Sequence, residues 1–139
     1  MRKRTQAREY VLQILYSIDV GSGDCRECIE SFWEHRGANK EVREFTDQLV
    51  MGVVENKATI DRAITTYATN WQLDRMAAVD RNILRLGTYE LLFVEEIPPK
   101  VSINEAIEIA KKFGDKDSGK FVNGVLDKIN KTERKVSKN

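Results

Sequence analysis

Histidine, cysteine and proline are scarce in this sequence: one, two and two residues in a chain of 139. His35 and the pair Cys25 and Cys28 cannot supply the four ligands of a structural zinc site. The Cys25-x-x-Cys28 spacing also lacks the βαβ setting of a thioredoxin-type redox motif. Cys25, Cys28, Ile29 and Phe32 instead recur at i, i+3, i+4 and i+7, so both thiols read as small apolar residues on a buried helical face. Glycine-rich phosphate loops of the G-x-x-x-x-G-K-[ST] and G-x-G-x-x-G types are missing. Without a metal cluster, a nucleophile–base pair or a phosphate loop, the usual hydrolytic and metal-assisted mechanisms lack parts, and a binding protein without a cofactor is expected.

No apolar run approaches the roughly 18 residues of a membrane span. The start, Met1-Arg2-Lys3-Arg4, is basic, but Thr5, Gln6, Arg8 and Glu9 occupy the stretch that a signal peptide would make apolar. A cytoplasmic location with no membrane partner is therefore expected. The formal net charge is only +1, so any nucleic-acid binding must rest on a local cluster of cations, not on a global field.

What the sequence has in plenty is helical periodicity. Ala7, Tyr10, Val11, Ile14, Leu15 and Ile18 form an apolar stripe through Arg4–Ile18, closed by Gly21 and Gly23. A short helix follows Asp24 toward Trp33, and Asn39 is placed to cap a third carrying Val42, Phe45, Leu49, Gly52 and Val53. Thr59 is read as the cap of a fourth. The stretch Asp74–Phe93 is apolar on more than one side, which predicts a central helix stopped by Pro98 and Pro99. Ser102 and Glu105 form an S-x-x-E capping box for the next helix, and Gly114 follows its last lysines. Asp117 or Ser118 caps the last, which turns Phe121, Val122, Val125, Leu126 and Ile129 inward. The expectation is one all-α domain over residues 1–139, with six or seven helices and a frayed polar tail from about Lys131 to Asn139.

Within the first helix, Arg4, Arg8, Leu12 and Tyr16 follow at steps of four and predict an exposed ridge, extended by Arg2 and Lys3. Cations that hold phosphates beside an aromatic that stacks on bases suit single-stranded RNA. On this reading Arg8→Ala weakens RNA binding without unfolding the protein. Lys111, Lys112, Lys116, Lys120 and Lys128 make a second, mixed surface broken by Asp115, Asp117 and Asp127.

Three strings carry a family resemblance. V-S-I-N-E-A-I-E-I-A-K-K-F-G (Val101 to Gly114) with K-F-V-N-G-V-L-D (Lys120 to Asp127) resembles the C-terminal signature of the NusB family. D-R-N-I-L-R-L-G-T-Y-E-L (Asp80 to Leu91) is similar to its central helix, and R-E-Y-V-L-Q-I-L-Y (Arg8 to Tyr16) to its first. The resemblance implies an all-helical bundle of two three-helix-like halves. It implies transcription antitermination, through binding of boxA RNA in ribosomal-RNA leader transcripts together with the ribosomal protein NusE, in a complex that keeps RNA polymerase processive. For some relatives it also implies a homodimer that hides the RNA-binding helix. Carried over by position, it places RNA contacts at Arg2, Lys3, Arg4, Arg8, Tyr16, Arg85, Asp117, Ser118, Lys120 and Phe121, and a NusE contact at Asp80. Thr5 and Gln6 stand where relatives can carry arginine, so this helix start is less basic than some. The alternative is a helical protein–protein adaptor that never touches RNA.

Overall fold

In a computed structural model, which describes residues 2–21 and 23–134, the chain folds into α-helices with no strand among those residues. These are α1 (Lys3–Val20), α2 (Cys25–Glu34), α3 (Lys40–Glu55), α4 (Lys57–Tyr67), α5 (Ala78–Phe93), α6 (Pro99–Phe113) and α7 (Ser118–Ile129). A 3-10 turn, Leu73–Arg75, precedes α5, and a π-helical turn, Asn130–Arg134, follows α7. The remainder of the expected tail, 135–139, lies outside the described residues.

Caps set most of the boundaries. The Asp24 carboxylate accepts from the Glu27 amide at 2.8 Å, and the Asn39 side chain accepts from the Glu41 amide at 2.8 Å, each satisfying a donor that the helix start leaves open. Two expectations need correction. Helix α4 begins at Lys57, two residues before Thr59. Ser102 and Glu105 do not form a capping box, because α6 begins at Pro99 with Pro98 as its N-cap. Proline suits the first helical position, where its fixed φ is helical and its missing N–H costs nothing. Ser102 is thereby left inside the helix, where its hydroxyl donates to Glu90.

Helix α5 occupies the middle, packing against α1, α3, α4, α6 and α7. That position explains why it is buried around most of its circumference, including the polar residues Asn82, Arg85, Thr88 and Glu90. Val11, Ile14, Leu49, Ile64, Leu84 and Leu126 lie in the shared core. The approach of α3 to α5 needs a glycine: a Cβ at Gly52 would lie 2.1 Å from the Tyr89 ring, and that ring is itself stacked on Phe93 at 5.5 Å. Cys25 and Cys28 are half-buried and pack against the core. Burial, followed by neighbouring acidic charge, pushes both thiols above their ordinary range, which disfavours the reactive thiolate. Among the described residues no helix is long and apolar enough to cross a membrane.

Candidate nucleic-acid interface

The predicted ridge on α1 is not continuous. Arg4 and Tyr16 are exposed, but Arg8 is 2% exposed and Leu12 4%. Steps of four residues advance about 40° beyond a full turn each time, so twelve residues rotate the row by about 120°. The row starts in solvent, passes beneath the neighbouring helices and emerges at Tyr16. Arg8 makes a two-pronged ion pair with Glu90 of α5, at 2.8 Å through Nε and 2.7 Å through Nη2, and its Nη1 donates to Glu105 of α6 at 3.0 Å. Ser102 donates to Glu90 at 2.8 Å and Thr5 to Glu105 at 2.6 Å, which closes the network. Burial alone would lower the Arg8 pKa, but the hydrogen bonds and charges of Glu90 and Glu105 outweigh it, and the guanidinium is held charged above its ordinary value. Arg8 is therefore a brace joining α1, α5 and α6; it lies at the floor of the cleft beside Arg2, Lys3 and Arg4, only 2% exposed and with its guanidinium nitrogens engaged by Glu90 and Glu105.

Arg85 has the same fate. It is 5% exposed and paired with Asp61 at 2.9 Å, with Asn82 at 3.1 Å and Asp19 at 3.4 Å around it. Burial pushes the Asp19 carboxyl up, but hydrogen bonds from Arg81 and Asn82 and the charges of Arg85 and Arg81 win and hold it below the usual aspartate range. A depressed folded-state pKa contributes stability that is present above the unfolded value and lost as pH falls through the folded one. Melting temperature should therefore fall as pH drops below about 4. Asp19→Asn should remove that part of the dependence; an unchanged acid profile in the variant would contradict the assignment.

Ser118 is also buried, its hydroxyl accepting from the Asp115 amide at 3.0 Å and donating to the Asp115 carboxylate at 3.3 Å. Its side chain shapes the Asp115–Ser118 turn and offers RNA little. The same turn leaves Asp117 and Lys120 in solvent and Phe121 half-buried. Asp80, at the start of α5, is half-buried beside them, and burial, opposed by a Ser118 hydrogen bond and aided by the Asp115 charge, raises its pKa.

Two exposed regions remain, at opposite ends of α1. Arg2, Lys3 and Arg4 are exposed at its start, along a cleft that runs past Pro98 and Val101. Arg4 lies over the Phe45 ring at 4.4 Å, and Lys3 pairs with Glu41 at 2.9 Å. Thirteen residues later, about 20 Å along the helix, Tyr16 (42% exposed) faces Phe113 of α6 across an apolar cleft floored by Leu12 and Val79. A neighbouring cleft of about 440 Å³ is lined by Asp80, Asp117, Lys120, Phe121 and Trp71 among others. Four aromatic rings thus line two clefts, Tyr16 and Phe113 in one and Phe121 and Trp71 in the other.

Phe113 and Trp71 are the two of these rings that sequence reasoning missed. Phe113 continues the i+3 spacing of the α6 stripe after Ala110 and so looks internal. Trp71 stands in the short aperiodic stretch between α4 and α5, where an aromatic without a helical partner was the available signal.

Comparisons with known proteins agree on one family. The profile described as the NusB family matches residues 5–131. The transcription antitermination protein NusB of Trichlorobacter lovleyi is 50% identical over 93% of this chain and 91% of its own. That of Bacillus licheniformis is 51% identical over 91% and 95%. Among solved structures, T. maritima NusB superposes with a TM-score of 0.86 at 40% identity, covering 96% of both chains. A chain from the crystal structure of antitermination factors NusB and NusE in complex with dsRNA superposes with a TM-score of 0.86 at 34% identity, covering 94% of this chain and 98% of that one.

Proposed function

The chain belongs to the NusB family, and from that premise we propose that it is a transcription antitermination factor that binds boxA-type single-stranded RNA of ribosomal-RNA leaders together with NusE. It acts by binding, without making or breaking a bond, and helps hold RNA polymerase in a processive complex. The observation that carries this reading is the pair of aromatic-lined clefts, Tyr16 and Phe113 in one and Phe121 and Trp71 in the other. A-form duplexes keep their base faces stacked inside, whereas a single strand can lay its bases on exposed rings. Arg2, Lys3, Arg4 and Lys120 supply the phosphate contacts, and the half-buried carboxylate of Asp80 turns toward NusE. The relative solved with NusE and dsRNA supports NusE and RNA as classes of partner, and the exposed rings favour a single strand.

Three or four cations on a single strand set the expected salt response. The slope of log K against log salt should be about −2 to −3. Fluorescence-anisotropy titration of a boxA-type oligonucleotide between low and moderate salt, with and without NusE, measures it. Binding that tightens when NusE is added, with that slope, supports the reading. NusE binding with no RNA binding even at low salt overturns it in favour of a pure protein adaptor.

A further inference from the structure

Three sulfur-bearing side chains meet where α2 packs on α3. Cys25 opens α2 and Cys28 follows three residues later. Side chains at that spacing share a helix face, with Cβ atoms about 5–6 Å apart. Met51 of α3 reaches the same place, its thioether Sδ lying 3.6 Å from the Cys25 Sγ. The Cys28 thiol is directed at the Gly23 carbonyl across 4.0 Å, a weak hold that a change of rotamer releases. Both cysteines are half-buried and Met51 is 40% exposed, so the cluster is sheltered on its core side and reachable from solvent.

We infer that Cys25, Cys28 and Met51 form a three-sulfur site for a soft monovalent cation, copper(I) above all. Two thiolates and a thioether are the donors that such an ion selects. Metal–sulfur bonds of about 2.3 Å, the length found with zinc, set two sulfurs on one ion roughly 3.6–4.0 Å apart. Cys25 and Met51 already stand at that spacing. Zinc is a poor match: it wants four ligands, and among the described residues no three His, Cys, Asp or Glu side chains converge on a metal position. Asp24, Asp47 and Glu55 bring negative charge to Cys25, which favours a cation, and the start of α2 offers partial positive charge to the thiolates. Without the ion both thiols stay protonated, and coordination is what deprotonates them. One cation therefore enters as two protons leave to solvent. The bound ion ties α2 to α3. None of the three residues lines the clefts assigned to RNA, so the inference goes beyond the RNA reading.

Anaerobic titration of the full chain with copper(I), delivered by a coloured chelator that competes for it, tests the site. Silver(I) serves as a stand-in that resists oxidation. One ion per chain should bind, with a shell of three sulfurs in X-ray absorption and a melting temperature that rises with the ion. Zinc(II) should not displace it. Cys25→Ser and Cys28→Ser should each weaken binding by more than the roughly 10- to 100-fold that loss of an outer-shell partner costs. Met51→Leu conserves volume and should fold like the parent, yet lose the third sulfur and roughly 10-fold or more in affinity. Failure of the chain to take copper(I) or silver(I) from the chelator overturns the inference. Binding that survives unchanged in either serine variant places the ion elsewhere and also overturns it. Equal affinity in Met51→Leu reduces the site to a thiol pair and contradicts the three-sulfur assignment.

Discussion

Arg8→Ala is expected to destabilise the protein by about 3–5 kcal/mol, the usual cost of removing one partner from a buried ion pair. Glu90 is 1% exposed and cannot recover its lost hydrogen bonds from water. Set against a total stability on the order of 5–15 kcal/mol for a domain, such a loss leaves a variant close to unfolding. RNA binding will fall as well, but for lack of folded protein. The distinguishing variant replaces the buried part of the network: Arg8→Met with Glu90→Leu and Ser102→Ala leaves only the Glu105 carboxylate without its arginine, and that group is 22% exposed and keeps its hydrogen bond from Thr5; apolar replacement of a buried pair is often neutral. It should recover most of the stability and with it the RNA affinity. Thermal melts measure this; an Arg8→Ala protein that melts within a degree or two of the parent would show that the brace carries little.

Tyr16→Ala combined with Phe121→Leu is expected to weaken single-stranded RNA binding by about 2 kcal/mol or more, roughly 30-fold, because each ring lost from a stacked base costs about 1–3 kcal/mol. Leucine is chosen at Phe121 because that side chain also packs against the core, where alanine would add a cavity penalty. Tyr16 has no such constraint, since its ring stands at the mouth of a cleft with much of its surface in water. The contrast with Arg8 is the informative part: here affinity falls while the melt holds. Equal RNA affinity in the double variant, measured by titration at low salt, would mean that bases do not stack on these rings.

Periodicity carries most of the fold. The stripe in α1, the Asp24 and Asn39 caps and the many-sided burial of α5 all follow from local sequence, since each depends on residues within a turn or two of one another. Where sequence reading erred, the deciding partner was remote. Arg8 looks like a surface cation until Glu90, 82 residues away, is brought against it. Arg85 reads as a spare cation until Asp61 closes on it. A basic residue on a helix flank carries no local mark of whether its neighbour will be water or a buried carboxylate. Ser102 shows a related limit: its capping pattern is valid chemistry, but Pro99 opened the helix earlier. At the site, the resemblance to the NusB family named Tyr16 and Phe121, which the structure leaves accessible, whereas Phe113 and Trp71 became visible only once α1, α5, α6 and the α4–α5 connection were placed side by side.

Ultraviolet cross-linking of a single-stranded boxA-type RNA to the protein, with the adducts mapped by mass spectrometry, tests the central claim most directly. Adducts should fall on the peptides carrying Tyr16, Phe121 and Trp71. Adducts confined to the Tyr89–Phe93 surface, on the α3 side of α5, would place the RNA elsewhere and contradict the account.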